Sequence, residues 1–231
     1  LVVGDVLLEP NRQSVRLFLS EPLAENTVYE VSTLAGLTDC LGNTTSTKQS
    51  IFVGLTVRPA PGDLIINEIL FNPYTGGVDF LELYNPSPKI LNLQGLRLRN
   101  ELATSGTVGT IVETNYVLLP GDYVVITSEP DNVLDNYTVP QPAALIDDAL
   151  PSMADDEGNI TVYNASFELL DALDYTDDWH SRLLSDKNGV SLERLRAEGV
   201  TQNEGNWASA ASTVGFATPT GPNSQDRQTV A

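Results

Sequence analysis

The chain of 231 residues carries 31 acidic and 12 basic side chains, a formal charge of −19 with its one histidine neutral. Its length and 41% hydrophobic content describe a globular chain with a sizeable core rather than a disordered one. The charge speaks against nucleic acid and anionic membranes as partners, and the single cysteine and single histidine exclude an intrachain disulfide, a cysteine-rich metal cluster and any two-histidine site.

No run approaches the ~20 apolar residues of a membrane span, so no membrane insertion is expected. The opening Leu1-Val2-Val3-Gly4-Asp5 lacks the basic start and long apolar stretch of a signal peptide, and reads as a chain that begins mid-protein or after processing.

Short strand-like runs then recur at 14–19, 28–33, 64–71, 79–84, 123–127 and 159–163, separated by Gly, Pro, Asn and Asp. Val15, Leu17 and Leu19 show the two-residue period of a strand. Helical signal is confined to 143–150, and 17 glycines with 14 prolines supply turns throughout. The fold class expected is all-β, a sandwich or barrel.

Two prolines and a glycine in 57–62 (Val57-Arg58-Pro59-Ala60-Pro61-Gly62) cannot occupy a central strand and predict a linker. The organisation expected is a β segment over 1–56, the linker over 57–62, a larger β domain over 63–223 and a polar, fraying tail over 224–231.

The acids are unevenly spread: the 82 residues 100–181 contain 16 of them and no lysine or arginine. A solvated acidic face, a basic partner and calcium all fit such a stretch. The candidate cation ligands are Asp155, Asp156, Glu157, Asp174, Asp177 and Asp178, though 156–159 also reads as a hairpin turn. His180 after Asp177-Asp178-Trp179 has the makings of an acid–base pair, but no nucleophile elbow, zinc-protease helix or phosphate loop accompanies it. A lone loop histidine reads as polar surface, and no catalytic residue is assigned. Tyr116, Tyr137, Tyr163 and Tyr175 offer contact area for recognition, or are ordinary structural tyrosines.

Asn26-Thr27-Val28-Tyr29-Glu30-Val31, then Asp39-Cys40-Leu41-Gly42-Asn43 and Ile51-Phe52-Val53, resemble the last strands of bacterial Ig-like domains. Beyond the linker, Leu64-Ile65-Ile66-Asn67-Glu68-Ile69-Leu70-Phe71-Asn72-Pro73, Asp79-Phe80-Leu81-Glu82-Leu83-Tyr84-Asn85-Pro86-Ser87, Leu91-Asn92-Leu93-Gln94-Gly95-Leu96-Arg97-Leu98 and Leu119-Pro120-Gly121-Asp122-Tyr123-Val124-Val125-Ile126 are similar to successive motifs of the lamin tail domain in its bacterial form. Ser152 to Asp174, Gly189-Val190-Ser191-Leu192-Glu193-Arg194, Asn206-Trp207 and Thr218-Pro219-Thr220-Gly221-Pro222-Asn223 continue that order. The family's usual tryptophan after the motif glycine is Leu96 here, and no heptad repeat accompanies the domain.

The resemblance implies an Ig-like β-sandwich acting as an accessory or interaction module. The function expected is a non-catalytic, extracellular or cell-surface binding or spacer module of a larger secreted bacterial protein, meeting an unidentified protein or glycan. Alternatives are an accessory domain of a secreted hydrolase and a calcium-stabilised stalk; no other cofactor is expected. Four residues are singled out as structural: Glu68, Glu82, Arg194 and Trp207. Arg194 is expected to pair with Glu68 or Glu82 as a guanidinium fork holding two strands in register. Trp207 is expected to plug or cover the core.

Overall fold

The computed structural model describes residues 3–11, 14–33, 35–36, 38–39, 41–102 and 109–226; Cys40 and the end of the polar tail lie outside them. The chain divides into two compact units, Leu1–Thr56 and Val57–Ala231.

The first unit consists of two antiparallel pairs, β1 (Val3–Leu8) with β2 (Val15–Leu19) and β3 (Tyr29–Ser32) with β4 (Ser50–Val53). None of its described residues is buried. The strand pattern is therefore present without a core: Leu8, Val15, Ile51 and Phe52 are all more than half exposed. In the connection from β3 to β4, Asp39 Oδ1 accepts the Leu41 and Asn43 amides at 2.8 and 2.9 Å, and Gly42 takes φ 88°, as a tight turn requires.

β5 (Thr56–Val57) stands at the division between the units. In the second unit follow β6 (Ile65–Leu70), β7 (Phe80–Tyr84), β8 (Ile90–Asn92), β9 (Arg97–Arg99), β10 (Gly109–Thr110), β11 (Val117–Leu118) and β12 (Tyr123–Thr127). A seven-residue helix, α1 (Pro130–Asn136), leads to β13 (Leu145–Asp147), β14 (Glu157–Tyr163), β15 (Leu169–Thr176), β16 (Leu192–Arg194) and β17 (Trp207–Ser209). The helical expectation at 143–150 is met only by a 3₁₀ turn at Pro142–Ala144 and is corrected beyond it. Pro130 supplies the pre-set φ and Asp131 the first-turn charge of a helix start, whereas 145–147 joins β12 as a parallel strand.

A six-stranded sheet of order β13-β12-β7-β6-β16-β17 faces a four-stranded sheet of order β10-β9-β14-β15, the two layers of a β-sandwich. Ile66, Leu81, Leu83, Val124, Ile126 and Leu192 from the first interdigitate with Leu98, Ile160, Val162, Leu173 and Tyr175 from the second. The six-stranded sheet is covered on its other face too. There Leu70, Phe80 and Val125 pack under Val133 of α1 and Ala217 of the C-terminal segment. Burial on both faces explains why Ile65 to Leu70 reads as an apolar run rather than a clean alternation.

Candidate functional site

The outer face of the six-stranded sheet carries three glutamates side by side. Cross-strand register sets Glu193 of β16 against Glu68 of β6, and Glu68 against Glu82 of β7. The row is flanked by Ala208 beyond Glu193 and Val125 beyond Glu82. All three carboxyls are fully buried. Like charges directly opposite one another destabilise a sheet, so the row depends on donors.

Those donors come largely from the segment 218–225. The Thr218 amide donates to Glu68 Oε1 at 2.9 Å, and the Thr220 amide to Glu82 Oε2 at 2.6 Å. Ser224 Oγ and the Gln225 amide reach Glu193 Oε2 at 2.8 and 3.0 Å. From the sheet side, Ser191 Oγ donates to Glu68 Oε1. A β-bulge between Ile66 and Glu68 re-aims Asn67, whose Nδ2 donates to Glu82 Oε1 and to Asn223 Oδ1, each at 2.7 Å. Burial, then the Glu193 charge, pushes the Glu68 carboxyl from its ordinary 4.5 up to about 8. Burial and then the Glu68 charge raise Glu82 well above the same value.

Arg194 takes a different place from the one expected. Its partner is Asp171 of β15, Nη2 to Oδ2 at 3.0 Å, and neither Glu68 nor Glu82. Strand alternation is the reason, since Glu193 is the residue of β16 that faces Glu68. Arg194 is 2% exposed. Its Nε donates to the Ile66 carbonyl at 2.6 Å, Nη1 to the Gly199 carbonyl at 2.9 Å and Nη2 to Thr201 Oγ1 at 2.5 Å. Trp207 is buried against this cluster, its ring centroid 5.3 Å from the guanidinium carbon and its Nε1 donating to the Thr201 carbonyl at 2.7 Å.

The acids singled out as cation ligands are not gathered at one point. Asp155 and Asp79 both line a cleft of about 490 Å³. Burial, then Asp155, pushes the half-buried Asp79 carboxyl up to about 7. Asp156 Oδ1 accepts the Glu157 amide at 2.9 Å. Exposed Glu157 opens β14, and Asp174 Oδ1 is bound to Asn159 Nδ2 at 2.6 Å. Asp177 pairs with Lys187 at 2.7 Å, and the Asp178 amide donates to Thr176 Oγ1. Among the described residues, no three Asp, Glu, His or Cys side chains are grouped so as to hold a metal ion.

The hairpin turn expected at 156–159 is also corrected. Glu157 to Asn159 are already strand, and the β14–β15 turn lies at Asn164–Glu168. Gly158 is there for the Tyr175 ring, which a Cβ would strike.

His180 is buried rather than a surface loop residue, with Nδ1 2.9 Å from Ser209 Oγ and Nε2 without a hydrogen bond. Burial lowers it from 6.5 to about 4, so it is neutral at pH 7. Tyr175 and Tyr137 are structural, donating to the Ala154 and Gly189 carbonyls. Asn85 ties its own turn together, whereas Asn67 and Asn223 bind each other, Asn67 also donating to Glu82 and Asn223 to the Arg194 carbonyl. Sequence reasoning passed over Glu193, Thr218 and Ser224, although the two-residue period from Leu192 to Arg194 already turns Glu193 to the opposite face.

The family described as Lamin Tail Domain matches residues 58–177. No curated protein matches the chain. The matched stretch includes Glu68 and Glu82 but ends before β16, so the remainder of the carboxylate row and its covering segment lie beyond it.

Proposed function

Because the chain belongs to the lamin tail domain family, a family of non-catalytic Ig-like domains, we propose that it is an extracellular or cell-surface binding or spacer module of a larger secreted bacterial protein. One observation carries this reading. The most polar buried residues of the second unit, Glu68, Glu82, Glu193 and Arg194, are each at most 2% exposed and bonded to the chain's own groups. They build the scaffold and are not presented to a substrate.

What the module offers to the outside is acidic surface, from which basic protein segments or glycans with cationic groups are the partners of matching charge. The first unit, with its Asp39 turn and the β3–β4 pair, is read as the closing part of a bacterial Ig-like domain. The test is an array of matrix proteins and glycans probed with the chain at low and high salt. Salt-sensitive capture of a basic partner is expected. Turnover of an ester, glycoside or phosphodiester substrate by the purified chain would overturn the reading.

A further inference from the structure

The contact that carries an inference is the Thr218 hydroxyl. Its Oγ1 lies 3.0 Å from Glu68 Oε2 and 2.7 Å from Glu193 Oε1. A hydroxyl has one proton to give, and an ionised carboxylate has none. Thr218 can serve both carboxyls with full, linear hydrogen bonds only if one of them is a carboxylic acid donating back to its oxygen.

We propose that the Glu68–Thr218–Glu193 bridge is a proton-dependent clasp: it holds the C-terminal segment 216–225 on the sheet while the pair keeps its proton, and lets the segment go when rising pH removes it. No covalent bond changes. The proton passes from the carboxylic acid to a solvent or buffer base. What remains is two carboxylates, on paired residues of adjacent strands, competing for one hydroxyl proton. The one carboxylate oxygen left without that proton, Glu68 Oε2 or Glu193 Oε1, then faces an oxygen lone pair and a second negative charge in a site closed to water.

The surroundings offer that charge hydrogen-bond donors but, among the described residues, no cation. β7 contributes Glu82, a third carboxyl, and β17 and β12 set Ala208 and Val125 at the ends of the row. The phenols within reach are Tyr123, which feels Glu82, and Tyr137, which feels Glu68; both are pushed up by burial and so stay neutral. The covering segment brings Thr220 and Ser224 as neutral donors, with Asp226 next in sequence. Among the described residues, no lysine or arginine acts on Glu68 or Glu82. Arg194 lies on the opposite side of β16, bound to Asp171. The upward displacement of Glu68 has the sign the clasp needs.

Amide hydrogen exchange on the whole chain at pH 5 and pH 9 tests this, with each rate corrected for the intrinsic effect of pH. The Thr218, Thr220 and Gln225 amides, which donate to the row, are expected to lose about tenfold or more in protection between the two. Amides of the β14–β15 hairpin serve as the internal control and are expected to hold. In Glu68→Gln a permanently neutral amide takes the place of the acid, and the protection of the Thr218 and Gln225 amides is expected to lose most of its pH dependence, Thr220 remaining under the influence of Glu82. Glu193→Gln asks the same from the other side of Thr218, should Glu68→Gln not fold. Wild-type protection at 218–225 that merely tracks the hairpin overturns the clasp, as does a folded Gln variant that keeps the wild-type pH dependence.

Discussion

Replacing Arg194 by methionine keeps most of the side chain's volume and removes its charge and donors. Asp171 then remains largely buried, with a side chain only 12% exposed, and loses its cation. It retains the Ile66 and Ala172 amides and Thr201 Oγ1 as donors, at 2.9, 3.0 and 2.6 Å. The Ile66 and Gly199 carbonyls lose their guanidinium partner outright. Breaking a buried ion pair from one side costs about 3–5 kcal/mol, and the surviving donors to Asp171 place the expectation near the lower figure. At about 2–4 °C per kcal/mol for a unit of this size, the melting temperature falls by roughly 10 °C. Urea unfolding followed by tryptophan fluorescence is a suitable assay, because Trp179 and Trp207 both belong to the second unit. Arg194→Lys, which restores a charge without the planar fork, is expected to recover less than half of the loss. A double-mutant cycle with Asp171→Asn should return a coupling above about 1 kcal/mol. Arg194→Met within about 1 kcal/mol of wild type would refute the account of this cluster.

Two pH effects follow with opposite signs. Glu68 titrates higher in the folded chain than its ordinary 4.5, so between about 4.5 and 8 the folded state holds the extra proton and stability falls as pH rises. The decline should amount to a few kcal/mol, on the order of 1.4 per pH unit, and should flatten in Glu68→Gln; equal slopes for the two proteins above pH 6.5 would refute it. His180 titrates lower than its ordinary 6.5, so its stabilisation is full above pH 6.5 and is lost as pH falls toward 4. That loss is on the order of 2–3 kcal/mol, and unfolding free energies of His180→Gln between pH 4 and 6.5 should lack it. Gly158→Ala drives a methyl group into the Tyr175 ring and is expected to cost about 1–3 kcal/mol in urea unfolding, with Tyr175→Leu recovering part of it.

Strand positions were legible wherever one face or both is apolar. The runs at 79–84 and 123–127 correspond to β7 and β12 within a residue, because packing on the sandwich core forces Leu81, Leu83, Val124 and Ile126 inward. Helix α1 was not legible, since seven residues with one buried side chain leave almost no period to read. The pairing of Arg194 failed for a physical reason open to correction. Residue type suggested a glutamate, but parity along β16 turns Arg194 inward and Glu193 outward, so a cation sought on the carboxylate face was on the wrong side. The carboxylate row itself needed register, which places Glu68 between two residues far from it in sequence. The acidic loops told least, because solvated acids and ion ligands have the same composition, and only the placement of Asp174 beside Asn159 and Asp177 beside Lys187 separates them.

The distance along the chain between Glu68 and Thr218 has a consequence in time. They are 150 residues apart. A ribosome adding roughly 5–20 residues per second delivers Thr218 roughly 8–30 s after Glu68. Throughout that interval β6 and β7 exist without the hydroxyl and amides that make their carboxyls tolerable away from water. The glutamates therefore remain hydrated and charged, and the outer face of the sheet stays open. A nascent chain interrupted before Thr218 cannot close that face, so the sandwich withholds its final layer until nearly all of the domain has been translated.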